Sequence, residues 1–291
     1  MATDTDQPTY LVTGAQGMLG SAVVARLCEA GLPCHGTDLP EADLTDRDAV
    51  DALFGRVRPT RVLHCAAYTN VDGAESDAEI CRAVNVDATR NVAEACAQAE
   101  ALMQCVSTDF VFGGDAGEPY QPDDPVAPRG VYATTKLEGE RAVARALSNH
   151  QIVRTAWLFG PNGKHFVSAI LSRLREGLPL RVVADQTGCP TYTLDLANRL
   201  VALSQTSATG TFHLVNSGQC TWHAFAQRIA EIAGFDPDAI AAIATEDWPS
   251  PAPRPKWSVL DCSATHALGI EPMRPWHEAL EAYLNLILET T

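Results

Sequence analysis

The stretch "VTGAQGMLG", residues 12–20, places Gly14, Gly17 and Gly20 between an apolar run and the start of a helical pattern. Glycine permits a tight turn and lets backbone amides approach a ligand, because it has no side chain to hold them apart. Amides at a helix N-terminus attract anions such as a pyrophosphate. The spacing is one residue longer than the G-x-G-x-x-G fingerprint, and a plain strand-to-helix turn is the alternative. We predict a strand, a phosphate-binding turn and a helix in this order.

The next predicted strand, "CHGTD", ends at Asp38, about 20 residues downstream of the turn, where an acid can bind an adenosine ribose. An ordinary turn aspartate is the alternative. The carboxylate would repel a 2′-phosphate, and no Lys or Arg lies between Gly31 and Glu41 to offset it, which favours NADH. Asp43 and Leu44 are expected to flank the adenine, with a position near a helix cap as the alternative for Asp43.

Short apolar runs alternate with helical patterns through the first half of the chain. The predicted strands are 9–14, 34–38, 61–67, 102–108 and 152–157, and the predicted helices are 18–30, 46–57, 77–99 and one near 131–140. Strands separated by helices in this way form right-handed βαβ units, and hence a parallel sheet covered on both faces. The predicted fold class is α/β, a Rossmann-like doubly wound parallel sheet.

The alternation weakens after about residue 158. Further helices are predicted at 164–176, 193–204 and 222–234, and extended segments at 180–185 and 210–215. We interpret residues 1–157 as a dinucleotide-binding domain, with returns near 190–215. Residues 158–291 are interpreted as a smaller, interleaved substrate-binding cap. The proline-rich segment 247–257 is expected to be an extended loop, because proline can neither continue a helix nor donate to a sheet.

The composition argues against several classes of protein. A formal charge of −15 disfavours a broad nucleic-acid or anionic-membrane surface, because both need a basic face. No run of 18 apolar residues appears, and the N-terminal "MATDTDQPTY" lacks the basic and apolar parts of a signal peptide, so a cytoplasmic location is expected. The nine cysteines include no C-x-x-C pair and are interpreted as core residues or idle surface thiols, with no metal site.

The segment "VYATTKLEGE" places Tyr132 and Lys136 four positions apart in a run of helix formers. Side chains at i and i+4 share a helix face, so the ammonium is expected near the phenol. A charge about 4 Å away, at an effective dielectric of about 20, favours the phenolate by roughly 4 kcal/mol. We therefore expect Lys136 to lower the pKa of Tyr132 and to make it a proton donor. Thr108, at the end of the strand "LMQCVST", is expected to bind the substrate oxygen; an ordinary amphipathic pair and a strand-end threonine are the alternatives.

The chain resembles the extended, nucleotide-sugar-modifying branch of the short-chain dehydrogenase/reductase superfamily, and within it the dTDP-4-dehydrorhamnose reductase family. The resemblance rests on "VTGAQGMLG", "AAYTNVDGAES", "NVDATRNVA", "STDFVF", "VYATTKLEGE", "RTAWLFG", "DQTGCPTYTLDLA" and "GTFHLVNSG". These motifs occur in order between about residues 10 and 217, and a fainter match, "PRPKWSVLD", follows near the end. Together they are far more specific than a lone glycine motif.

The resemblance implies that the 4-keto group of a dTDP-4-keto-6-deoxy-hexose is reduced with NADPH or NADH in deoxysugar biosynthesis. The expected substrate is dTDP-4-dehydrorhamnose, giving dTDP-L-rhamnose, or a close analogue. Thr108, Tyr132 and Lys136 would be the catalytic residues, with Asp109 beside the substrate and Trp157 packed on the sugar. Together with the residues argued above, the expected cofactor-binding set is Gly14, Gly17, Met18, Leu19, Gly20, Asp38, Asp43, Leu44, Ala66, Ala67, Tyr68, Tyr132 and Lys136.

Two departures from the family pattern bear on function. Phe110 follows the "STD" triplet where the family usually has tyrosine, which we interpret as a packing change. The segment "GKHF" (163–166) stands where the family has an asparagine-rich stretch. That segment is expected to border the nucleotide sugar and so to bear on which sugar is bound, with a solvated helix start as the alternative.

Two rival functions fit the same scaffold. One is a nucleotide-sugar epimerase or dehydratase, but related dehydratases carry an Asp-Glu pair where this chain has Asp109 and Phe110. The other is a non-catalytic, NADP-binding regulatory subunit, and the intact catalytic set counts against it.

The proline-rich loop contains the candidate cations Arg254 and Lys256. Fixed φ angles there would preset a clamp on the diphosphate of the sugar nucleotide, and solvated linker charges are the alternative. Trp257 is expected either to stack on thymine or to fill the domain junction. The sequence leaves the oligomeric state open, with a homodimer as one candidate.

Overall fold

The structure is a computed structural model that describes residues 7–289. Residues 1–6, part of the stretch used above to argue against a signal peptide, lie outside the described residues. The same holds for residues 290–291 of the predicted cap. Within residues 7–289, no helix combines the length and the apolar character that a bilayer crossing requires.

Up to residue 155, strands and helices alternate in the predicted order. The strands are β1 (Tyr10–Thr13), β2 (Cys34–Thr37), β3 (Arg61–His64), β4 (Leu102–Thr108), β5 (His150–Thr155), β6 (Leu158–Phe159), β7 (Leu180–Val183), β8 (Thr187–Gly188), β9 (Thr191–Tyr192), β10 (Gly210–His213), β11 (Asn216–Ser217), β12 (Cys220–Thr221), β13 (Ile240–Ile243) and β14 (Met273–Pro275). The helices are α1 (Met18–Glu29), α2 (Arg47–Val57), α3 (Ala78–Arg82), α4 (Thr89–Gln98), α5 (Val131–Ala146), α6 (Phe166–Arg175), α7 (Thr193–Ser204), α8 (Trp222–Ile232), α9 (Ser263–His266) and α10 (Trp276–Leu288).

Six strands form one parallel sheet in the order β2, β1, β3, β4, β5, β10. The chain leaves β1 to add β2 on one side and then returns to add β3 on the other. The connections therefore diverge between β1 and β3, which opens a crevice at the carboxyl ends of these strands. The predicted doubly wound α/β fold is confirmed.

Helices cover both faces of this sheet because alternate strand residues point to opposite sides. Val12 and Leu63 pack against α1 and α7. Their neighbours Leu11 and Val62 pack in a second cluster with α2 and α4. Burying a side chain of this size contributes about 1.5–3 kcal/mol, so the apolar alternation fixes which helices lie on which face.

A separate apolar cluster holds the second half of the chain together. It is formed by α6, α8 and α10 with the parallel strands β7 and β13, and Ile170, Phe225 and Leu280 are buried in it. The second half is interleaved with the first, because β10 joins the main sheet beside β5 and α7 packs on α1.

Several elements differ from the sequence-based expectations. The helix predicted over 77–99 is interrupted by a π-helical segment, Ala83–Ala88. Gly139 of α5 packs against the Asn85 carbonyl in that segment, where an added Cβ would lie only 2.4 Å from the oxygen. Helices α9 and α10 and the strands β6, β8, β9, β11, β12, β13 and β14 were not predicted. The proline-rich segment is a loop as expected, apart from a 3₁₀ turn that ends at Asp247.

Candidate active site

A cleft of about 730 Å³ opens at the crevice between β1 and β3. The predicted site residues that line it are Gly14, Gly17, Met18, Leu19, Gly20, Asp38, Asp43, Leu44, Ala66, Ala67, Thr108, Asp109, Tyr132, Lys136, Trp157 and Arg254. Tyr68, from the expected cofactor-binding set, lies outside this lining. Its hydroxyl donates to Asp77 at 2.9 Å, and its backbone N–H donates to Asn85 at 2.9 Å, so Tyr68 is held beside the cleft.

The glycine turn is closely packed against the rest of the crevice. Gly14 has a φ of +66°, and a Cβ there would lie 2.7 Å from the backbone nitrogen of Ala66. A Cβ on Gly20 would lie 2.0 Å from the carbonyl oxygen of Gly14. Gly17 precedes α1 and leaves the first amides of that helix without a side-chain cap. Bare amides at a helix start that faces a cleft fit the pyrophosphate of a dinucleotide.

Asp38 ties the glycine turn to the loop after β2. One carboxylate oxygen accepts from the Gln16 N–H at 3.1 Å, and the other accepts from the Leu39 N–H at 3.0 Å. Asp43 accepts from the backbone and hydroxyl of Thr45 at 2.9 and 2.7 Å, and these bonds lower the pKa of Asp43. Both residues line the cleft.

Helix α5 carries the predicted phenol and ammonium. Its first residue, Val131, donates its N–H to Glu75 at 2.8 Å, which fixes where the helix begins. Lys136 is buried, and its ammonium donates to the carbonyl oxygen of Val106 on β4 at 2.7 Å. The helix is thereby held against the strand that ends at Thr108.

The electrostatics of Tyr132 differ from the expectation. Burial raises the pKa of Tyr132 above its ordinary value; a hydrogen bond with Thr108 opposes this shift, and the charge of Asp109 adds to it. The pKa of Tyr132 is therefore raised and not lowered as expected, because desolvation of the phenol outweighs the Thr108 hydrogen bond that opposes it. Tyr132 stays protonated, which suits a group that must give up a proton.

Thr108 and Asp109 form a buried polar pair at the end of β4. The Thr108 hydroxyl donates to Asp109 Oδ1 at 3.0 Å and accepts from the Phe110 N–H at 3.2 Å. Asp109 is 2% exposed, and its Oδ2 is one of the buried atoms without a partner among the described residues. Burial raises the pKa of Asp109 to about 7. The ring of Phe110 meets that of Tyr132 edge-on, with centroids 6.1 Å apart.

Three aromatic rings also line the cleft, those of Trp157, Phe166 and Trp222. Trp157 has a φ of 46° and stacks on Trp222, with ring centroids 3.5 Å apart. A Cβ on Gly188 would lie 2.5 Å from the Trp157 ring, so this glycine is required for the tryptophan to fit. Phe166 packs on Trp222 at 4.6 Å. Phe166 belongs to the "GKHF" segment that was expected to border the nucleotide sugar, and it lines the cleft. Trp222 was not predicted, because it joins the site through tertiary packing and lies in a helix with no motif of its own.

Of the cations predicted in the proline-rich loop, Arg254 reaches the cleft. Its guanidinium binds both carboxylate oxygens of Asp72, at 3.0 and 2.8 Å, so it is not a free cation. Lys256 does not line the cleft and lies 3.4 Å from Asp185. Trp257 packs with the buried cluster around Phe112, which agrees with the interpretation that it fills a junction.

Comparison with known proteins identifies the family. The family model described as "RmlD substrate binding domain" matches residues 9–288. The dTDP-4-dehydrorhamnose reductase of Streptomyces griseus is 41% identical over 280 residues, covering 94% of this chain and 92% of that protein. The chain belongs to the dTDP-4-dehydrorhamnose reductase family.

Other similar proteins agree with membership of the dTDP-4-dehydrorhamnose reductase family. A probable dTDP-4,6-dihydroxy-2-methyloxan-3-one 4-ketoreductase of Streptomyces antibioticus is 39% identical and covers 96% of this chain and 95% of its own length. The crystal structure of the dTDP-4-dehydrorhamnose reductase of Bacillus anthracis in complex with NADP superposes with a TM-score of 0.92. It is 34% identical and covers 96% of this chain and 99% of its own. The predicted family, oxidoreductase class and nicotinamide cofactor are confirmed.

Proposed function

We propose that this protein reduces the 4-keto group of a dTDP-4-keto-6-deoxy-hexose with NADPH or NADH, in deoxysugar biosynthesis. dTDP-4-dehydrorhamnose is the first candidate substrate, and dTDP-L-rhamnose is its product. The observation that supports this most is that Thr108, Tyr132 and Lys136 line the same cleft as the glycine turn. A proton donor and a hydride source can therefore reach one carbonyl group.

The residues have separate tasks in this proposal. A reduced nicotinamide, when bound, supplies a hydride to the keto carbon. Thr108 donates a hydrogen bond that orients the keto oxygen, and Tyr132 gives its proton to that oxygen as negative charge develops. Lys136, fixed on Val106, binds the nicotinamide ribose and stabilises the tyrosinate that remains.

The aromatic part of the cleft is the proposed sugar-nucleotide site. Trp157 has one face against Trp222 and is also in contact with Gly188, so the edge of its ring is what it offers to a hexose. Arg254 is proposed to bind the diphosphate while it remains paired with Asp72. Asp109 lies beside the reacting sugar. Residues 1–157, with returns near 190–215, would hold the cofactor, and residues 158–291 would hold the sugar nucleotide.

The rival epimerase or dehydratase function lacks a specific group. Phe110 stands where the related dehydratases carry the second carboxylate, and it packs on Tyr132, where it cannot move a proton. A reductase needs only the hydride source and one proton donor, and both requirements are met by the proposed site.

The direct test is turnover of a panel of dTDP-4-keto-6-deoxy sugars with NADH or NADPH. Loss of absorbance of the reduced nicotinamide would report the reaction, and NMR would identify the product and its configuration at C4. The expected result is consumption of cofactor in proportion to a 4-hydroxy product. If NADH binds but no sugar of the panel is reduced, the proposal is wrong and the result favours the non-catalytic regulatory subunit.

The location and the assembly remain predictions. A cytoplasmic location and a homodimer are both compatible with a nucleotide-sugar reductase. Fractionation of cells and light scattering of the purified protein test them separately.

A further inference from the structure

The chain contains three lysines: Lys136, Lys164 and Lys256. Three cationic side chains line the cleft within residues 7–289: Lys136, Lys164 and Arg254. Lys136 is hydrogen-bonded to Val106, and Arg254 is bound by Asp72. Lys164 is exposed and makes no ion pair or side-chain hydrogen bond with any residue of the described part of the chain. Among the described residues, Lys164 is therefore a cation of the cleft whose ammonium group is not paired with another residue.

The segment before Lys164 is packed on the first turn of α1. Asn162, with a φ of +64°, donates its side-chain amide to the Ser21 hydroxyl at 3.3 Å. A Cβ built on Gly163 would lie 3.0 Å from the Cβ of Met18, the first residue of α1. Lys164 thus follows directly on a contact with the helix start where the pyrophosphate is proposed to bind.

The segment after Lys164 is held by the second half of the chain. His165 caps α6 by accepting the Ser168 N–H at 3.4 Å, and its other ring nitrogen lies 3.1 Å from the Tyr283 hydroxyl. Both neighbours of Lys164 are therefore anchored, while its own side chain is free to turn toward a ligand. This lysine is also part of the "GKHF" departure from the family's asparagine-rich stretch.

The charge of the cleft explains what such a lysine would bind. Asp38, Asp43 and Asp109 also line the cleft, and the chain carries a net charge of −15. A dinucleotide adds a diphosphate to this acidic surface. The backbone amides of α1 can hydrogen-bond that group, but a lysine adjacent to α1 is needed to supply a full positive charge.

We propose that Lys164 binds the pyrophosphate of the dinucleotide cofactor, from the side opposite the glycine turn. The contact joins the two halves of the protein through the ligand, because the segment around Lys164 bridges from α1 to α6. This inference rests on the proposed dinucleotide site. It makes Lys164 a cofactor-binding residue of this chain and assigns it no part in the chemical step.

The test is the binding of NADH, ADP-ribose and dTDP to Lys164→Gln, followed by calorimetry or nicotinamide fluorescence. Arg145→Gln is the matched control, since it removes one positive charge from an exposed position at the end of α5. We expect Lys164→Gln to weaken the binding of NADH and of ADP-ribose about tenfold, which corresponds to about 1.4 kcal/mol of binding free energy. Binding of dTDP should stay unchanged, and Lys164→Arg should restore most of the lost affinity.

Three outcomes separate the possibilities. Equal NADH affinity in Lys164→Gln and Arg145→Gln would overturn the inference and leave the proposed reductase intact. Loss of dTDP affinity alone would place the lysine on the sugar nucleotide and overturn it as well. Wild-type protein that bound neither NADH nor ADP-ribose would overturn the dinucleotide site itself, and with it both proposals.

Discussion

The ammonium of Lys136 donates to the carbonyl oxygen of Val106 at 2.7 Å, and this bond fastens α5 to β4. Tyr132 lies one turn earlier on the same helix, and Thr108 lies two residues later on the same strand. A single buried contact between helix and strand therefore sets the position of the proposed proton donor, Tyr132, relative to Thr108, which is proposed to orient the substrate. In the absence of ligands, Lys136 positions α5 on β4 and does not lower the pKa of Tyr132, which burial keeps raised.

Replacing Tyr132 by Phe removes the proton donor and little else. We expect kcat to fall by at least about 10²-fold, the usual contribution of a positioned acid, while NADH affinity changes less than about twofold. Steady-state turnover and NADH titration measure the two quantities. Tyr10→Phe is the matched control, because the Tyr10 hydroxyl is buried without a partner among the described residues and lies in the core. Wild-type turnover in Tyr132→Phe would remove this residue from the mechanism.

Gly14→Ala tests the close approach of the glycine turn to the strand beside it. The added Cβ would lie 2.7 Å from the Ala66 backbone, so we expect NADH affinity to fall by tenfold or more. Gly31→Ala provides the control: Gly31 has the same φ of +66° but nothing within 4 Å of the added Cβ. Alanine in this left-handed conformation should destabilise both variants by about 1–2 kcal/mol, but only Gly14→Ala should bind NADH more weakly. Equal losses of NADH affinity in the two variants would contradict the proposed role of the glycine turn in cofactor binding.

Asp109 should make the folded protein less stable as pH rises. Burial raises its pKa to about 7, so the folded state keeps a proton that the unfolded chain releases near its ordinary value of 3.8. The contribution of Asp109 to the free energy of unfolding is fully present below its pKa in the unfolded chain. It is lost as pH rises through its pKa in the folded protein. The loss is on the order of 1 kcal/mol per pH unit in this window.

Urea unfolding of wild type and Asp109→Asn at about pH 5 and about pH 8 measures that dependence. Asp109→Asn should lack this pH dependence. The free energy of unfolding of the wild type should therefore fall, relative to that of the variant, as pH rises. Asp123→Asn removes an exposed carboxylate from the same loop region and serves as the control. Parallel pH profiles for wild type and Asp109→Asn would show that the buried carboxyl is not protonated.

Asp38 should set the preference for NADH. Its carboxylate lines the cleft and accepts from the Gln16 N–H of the glycine turn, and no Lys or Arg lies between Gly31 and Glu41 to offset its charge. A 2′-phosphate would therefore meet negative charge. Asp38→Asn should raise the ratio of kcat/KM for NADPH to that for NADH by about tenfold. The two cofactors control for each other in one protein, and an unchanged ratio would count against this role.

The sequence predicted the site best where chemistry requires a particular residue at a particular spacing. The glycine turn, Asp38, and the pair Tyr132 and Lys136 could be found because a tight turn, a ribose contact and a shared helix face are local properties. The strand and helix order followed from apolar periodicity, and the parallel sheet followed from that order. The break inside the helix predicted over 77–99 had no such signal; it lies where Gly139 of another helix packs on the Asn85 carbonyl.

The sequence by itself determined the α/β order, the glycine turn between β1 and α1, and the choice of Thr108, Tyr132 and Lys136 as the proposed catalytic set. Only the tertiary structure decided that Tyr68 lies beside the cleft, that Arg254 is already bound by Asp72, and that Trp222 faces Trp157. It also reversed the expected pKa shift of Tyr132. The physical reason is the same in each case: burial and pairing depend on residues far apart in the chain, and neither composition nor spacing records which of them meet.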